Sequence, residues 1–121
     1  MFNIKQYIKQ VLSNDEILNL TSDKKVHFLH ALDPIPPYVE YEIFDEDGAA
    51  WSEGKEVATN YYVQIDIFSK EDYTELENKI KEKMINAGFE RTGGADLYEE
   101  DTQLYHKPMR FIYTTKIEGG I

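Results

Sequence analysis

"YVEYEIFDEDGAAWSEGKEVATNYYVQIDIF", residues 38–68, decides how this chain folds. At its start Val39, Tyr41 and Ile43 alternate with Glu40 and Glu42; at its end Tyr61, Val63, Ile65 and Ile67 alternate with Gln64 and Asp66. A period of two sends successive side chains to opposite faces, so both ends read as half-buried strands. They form an antiparallel pair with one face on a core and the other wet. Between them, residues 44–56 hold five carboxylates, two glycines and the only tryptophan.

That acidic stretch can be tested as a calcium loop. An EF-hand loop needs oxygen ligands at positions 1, 3, 5 and 12 with glycine at 6. With Gly48 at the sixth place, Asp45 and Asp47 fit, but the first place falls on Ile43 and the twelfth on Gly54. Strands rather than helices flank it, and calcium is set aside. Hairpin connections usually hold two to five residues, whereas 45–60 separates the two alternating runs here. Residues 45–57 are therefore expected to form a long mobile hairpin loop that orders on a partner. The alternative extends the strands into it and tucks Trp51 onto the core. Trp51, Asp45, Asp47, Glu53 and Val57 are the candidate subunit contacts, with Trp51 as the anchor. Gly93 and Gly94, in the turn-rich RTGGAD at 91–96, are a second candidate contact.

Upstream, IKQYIKQVL at 4–12 places Ile4, Tyr7, Ile8, Val11 and Leu12 on one helical stripe, with Asn3 as N-cap. A short helical turn is expected at 15–20. KVHFLHAL at 25–32 reads equally as strand or helix, and DPIPP at 33–37 ends it in an extended chain. Downstream, Ser69 is expected to cap a helix over 70–87 with Tyr73, Leu76, Ile80, Met84 and Ala87 as its apolar stripe. Glu75–Lys79 and Glu77–Lys81 would be its surface ion pairs, and Gly88 its stop. MRFIYTTKI at 109–117 alternates as a last strand, with Pro108 marking an edge or bulge where it begins; 119–121 is expected to fray. The order α-β-β-α-β(β) is an α+β fold, an antiparallel sheet with two main helices on one face.

The 121 residues suit one domain, 1–121, large enough to bury roughly two-thirds of the unfolded surface without a metal or disulfide. No apolar run approaches a membrane span, and no signal-peptide pattern stands at the start, so synthesis in the cytoplasm is expected. There is no cysteine, which removes thiol chemistry. Twenty-three acids against thirteen bases give a net charge of −10, which opposes adhesion to phosphate backbones. A surface of that sign suits a passage through which DNA slides.

Catalytic and cofactor motifs are missing. TGGAD lacks the spacing of a phosphate loop, and Ser13, Ser22, Ser52 and Ser69 lie in no nucleophile elbow. His27 and His30 could share a face only on a helix, with His106 the remaining histidine. No catalytic residue, metal or cofactor is expected.

"PPYVEYEIF", "TNYYVQIDIFSKEDYTELENKIKEKMINAGF" and "YEEDTQLYHKPMRFIYTTKI" together resemble the tail-completion proteins of long-tailed phages and prophages, the tail terminators or head–tail joining proteins. The resemblance spans nearly the whole chain and rests on the order and spacing of these pieces. It implies a non-enzymatic structural subunit that assembles into a ring, typically a hexamer, on the last ring of the major tail tube protein. The ring stops tail growth and receives the head through its head-completion or connector protein, while DNA passes without specific binding. It implies assembly in the host cytoplasm and residence in the virion. Two other classes fit the composition: an acidic DNA mimic that inhibits a DNA-binding enzyme, and a small acid–base or metal-dependent enzyme.

Overall fold

The computed structural model describes residues 2–117, so the expected fraying at 119–121 lies outside the described residues. In chain order the elements are α1 (Ile4–Leu12), α2 (Asp15–Leu18), β1 (His27–Phe28), β2 (Tyr38–Ser52) and β3 (Lys55–Ser69). They continue with α3 (Thr74–Asn86), β4 (Glu90–Gly94), β5 (Leu97–Glu99) and β6 (Leu104–Lys116). The fold is α+β. The strands lie in the order β1-β2-β3-β6-β4, with β5 continuing the β4 edge alongside β6. All pairs are antiparallel except the short β1, which runs parallel to β2 through His27↔Glu40 and Phe28↔Tyr41.

In the inner parts of the three long strands, odd-numbered residues face the helices. Val39, Tyr41, Val63, Ile65, Ile67, Met109 and Phe111 meet Ile4, Ile8 and Leu12 of α1, Ile17 of α2 and Leu76, Ile80 and Met84 of α3 in one core. The alternation and the helical stripes described these layers correctly. Asn3 caps α1 through Oδ1, which accepts from the Gln6 N–H at 3.1 Å. Phe2, Tyr7, Phe89 and Tyr113 extend the core as an aromatic cluster, and Tyr7 donates its hydroxyl to the Ala87 carbonyl at 2.7 Å.

Four expectations are corrected. First, α3 begins at Thr74 rather than after Ser69. The Ser69 hydroxyl bonds the backbone of Glu71 in a local turn, and Asp72 Oδ1 takes the Thr74 N–H at 2.9 Å. Second, the helix carboxylates and lysines pair outside the expected rungs: Glu77 turns to Lys107, and Lys79 to Glu16 and Glu82. Third, β6 starts at Leu104, four residues before Pro108. Pro108 is tolerated because its missing N–H points to the break between β4 and β5, where its carbonyl accepts from Ala95. Fourth, the segment 45–57 is not a long loop.

Candidate functional site

That segment is an arm. The β2–β3 ladder continues from Tyr38↔Phe68 to Ser52↔Lys55, with irregularities after Ile43, Gly48 and Ala50. Only Glu53 and Gly54 connect the strands, at φ 52° and 78°. Positive φ at both central residues is the turn geometry whose twist matches a two-residue hairpin. β6 accompanies β3 as far as Ala58↔Lys116, and beyond that rung the arm has two strands only.

With little to bury, the arm is held by its ladder and by polar rungs. Asp47 accepts from the Asn60 amide at 3.0 Å and from the Tyr62 hydroxyl, while Asn60 accepts from Thr114 on β6. The Asp47 carboxylate holds the Tyr62 phenol above its ordinary pKa, chiefly through that hydrogen bond. Trp51 is not tucked onto the core: it stays 62% exposed and lies over Gly48, where an added Cβ would stand 2.5 Å from the indole. A side chain at 48 would displace the ring.

The candidate contact residues divide between two surfaces. Asp45, Asp47, Trp51 and Glu53 are exposed on the arm, and half-buried Val57 accepts the Ile117 N–H at 3.0 Å. Gly93 and Gly94 are not in a turn as expected but in β4, at the opposite edge of the sheet. Within one subunit they do not meet the arm.

The open face of the sheet carries a network that the sequence reading missed. Buried Asp66 accepts from Gln64 at 2.8 Å and lies 2.7 Å from His106 Nε2; the other ring nitrogen of His106 is 3.3 Å from Glu99. Gln64 in turn accepts from Arg110, whose guanidinium covers the Phe44 ring. Tyr38, Phe68 and His106 stack along the same face. Alternation put Asp66 on the wet side, but His106 preceded the expected last strand, and only the observed register brings the two together. The histidines have separate partners: His27 pairs with Asp23 and exposed His30 approaches Glu40. Among the described residues no three His, Asp or Glu side chains are placed to share a metal ion. No buried side-chain polar atom among them lacks a partner. The network therefore ties β3, β5 and β6 together laterally.

A second polar cluster lies where α3 meets the edge strands. Lys107 is buried between Asp96 at 3.0 Å and Glu77 at 3.5 Å. Asp96 also accepts from the Tyr73 hydroxyl at 2.6 Å. Burial first, and then this carboxylate, push the Tyr73 phenol up to about 12, while the Tyr73 and Lys107 donors lower the Asp96 carboxyl. Searches against protein-family models and curated proteins found no match to this chain.

Proposed function

We propose that this protein is a phage or prophage tail-completion subunit, which caps the tail tube as a ring and joins it to the head. The carrying observation is the pair of unlike surfaces at the ends of one sheet: an acidic two-stranded arm with an exposed tryptophan, and the β4–β5 edge. Contacts between unlike surfaces are head-to-tail, and such contacts close into rings when the rotation between subunits permits. The resemblance in sequence implies a ring of subunits.

The charge suits the task. A subunit of net charge −10 repeated around a ring gives a negative lumen, through which DNA slides without adhesion. Self-repulsion then weakens free ring formation at low ionic strength, and salt relieves it. Partners on this reading are further copies of the chain, the tail tube protein and the head-completion protein, in the host cytoplasm and then the virion. No catalytic step and no cofactor enter.

Deletion of the gene from an inducible phage or prophage tests the proposal by electron microscopy. DNA-filled heads without tails, beside tails of irregular or excess length, are expected. Fully joined, infectious particles would overturn it. Trp51 fluorescence offers a second readout, with a blue shift expected when the purified protein meets tail tubes.

A further inference from the structure

Three of the four most exposed large apolar side chains among the described residues lie outside the arm, in one loop between β1 and β2. Leu32 is 84% exposed, Ile35 70% and Leu29 56%. The loop is nevertheless pinned. Ala31 is buried beside Tyr38, its N–H donates to Glu40 at 2.8 Å, and the Leu29 N–H donates to the Tyr41 carbonyl at 2.9 Å. Ser22 holds the carbonyls of Pro36 and Pro37. Leu29 and Asp33 sit at φ 65° and 46°, conformations costly for side-chain-bearing residues and kept only where the surroundings enforce them. The result is an apolar knob held outward by its own backbone, so little ordering remains to oppose a contact.

On the open face, beside the break between β4 and β5, lies a hollow of about 420 Å³. Ala95, Leu97 and Pro108 supply its apolar lining, and Gln64, His106 and Arg110 its polar rim. Leu97, Tyr98 and Tyr105 are exposed beside it. The charges match as well. Asp33 is the only carboxylate in residues 29–37, and Arg110 is one of only two arginines in an acidic chain.

We propose that the occupant of this hollow is a second copy of the chain: Leu32 seats against Ala95, Leu97 and Pro108 of its neighbour, with Asp33 facing Arg110. Knob and hollow are different surfaces of the subunit, so a contact between them is head-to-tail and can repeat around a ring. The inference rests on the tail-completion reading for the closed ring and names the surface through which it closes. It adds the 29–35 loop to the arm as a part of the subunit that reaches the β4–β5 side of its neighbour.

The lack of cysteine in the sequence makes a clean test available. Full-length Ile35→Cys and Ala95→Cys proteins are mixed at high concentration and high salt and treated with a bismaleimide. Coupled dimers should exceed those from either protein alone about tenfold, the change produced by roughly 1.4 kcal/mol of specific contact. Leu32→Asp in the Ile35→Cys protein should remove that excess; the side chain is exposed, so folding is spared. Asp33→Arg in the Ile35→Cys protein should lower the yield, and Arg110→Asp in the Ala95→Cys partner should restore it. Equal coupling to a thiol placed at Lys81 on α3, efficient coupling of Ile35→Cys to itself, or no coupling would each overturn the proposal. A prophage carrying Leu32→Asp that still yields joined particles would also overturn it while leaving the tail reading intact. Specific coupling by a protein whose deletion leaves particles joined would keep the contact and remove the tail reading.

Discussion

The hairpin of β2 and β3 is one continuous ladder with two unlike halves. In the inner half, Val39, Tyr41, Val63, Ile65 and Ile67 are buried under α1 and α3. In the outer half nearly every residue from Phe44 to Lys55 is exposed. Backbone hydrogen bonding and a few polar rungs thus carry the strands well beyond the region that hydrophobic burial stabilises. Each half has its own determinant: apolar alternation inside; turn chemistry and polar rungs such as Asp47–Asn60–Thr114 outside.

The largest test of this contrast is a charge placed in each half of the fold. Ile80→Asp puts a carboxylate in the fully buried core and should prevent folding or cost several kcal/mol. Ala50→Asp on the arm should stay within about 0.5 kcal/mol of wild type in urea denaturation. Near-normal melting of Ile80→Asp would break the comparison at its root.

Lys107→Ala comes next, with an expected loss of about 1–3 kcal/mol, because it strands the Glu77 carboxylate beneath α3. Tyr73 in the same cluster adds a pH signature. A pKa raised to about 12 in the folded state means that stability present below pH 10 is lost as pH rises toward about 12. Asp96, lowered in the folded state, gives stability that is present above its ordinary pKa and lost as pH falls through the depressed value. Tyr73→Phe should reduce both losses in part, because the Tyr7, Tyr38, Tyr41 and Tyr62 phenols are raised as well and keep a share of the alkaline loss. An unchanged pair of pH profiles would place the determinants elsewhere.

On the arm, Gly54→Ala forces a Cβ into φ 78° and should cost about 1 kcal/mol or less. Amide exchange should rise near residues 50–57 and stay unchanged in the core. The smallest effect is a gain. Glu53 occupies a left-handed turn position that asparagine fills more readily, so Glu53→Asn should slow exchange at the tip and stabilise by a few tenths of a kcal/mol.

The same two determinants explain what could be read from the sequence. The alternation at 38–43 and 61–67 and the stripe of α3 were legible because each has one buried face. The arm was not, because a strand wet on both sides has no hydrophobic period, and its turn sequence Glu-Gly lacks the asparagine or aspartate that usually announces such a turn. The start of α3 was misread because Ser69 and Asp72 both have capping chemistry, and only the local Ser69–Glu71 turn separates them. The knob at 29–35 had no signal at all. Leu29, Leu32 and Ile35 look like core residues in any composition, and their exposure depends on Ala31 being the one drawn inward.

The position of β6 has a consequence for synthesis on the ribosome. This strand pairs with β3 along one side and with β4 and β5 along the other, yet it follows β3 by some forty residues in the chain. At the usual 5–20 residues per second, roughly 2–9 s separate the completion of β3 from that of β6. Throughout that interval Val63, Ile65 and Ile67 sit in a strand with one bare edge, and Phe2 lacks the Tyr113 ring on which it stacks. Nascent chains of this protein therefore pass through a window in which strand pairing between neighbours on one polysome competes with folding. Slowing translation after residue 69 should widen that window and raise the insoluble fraction.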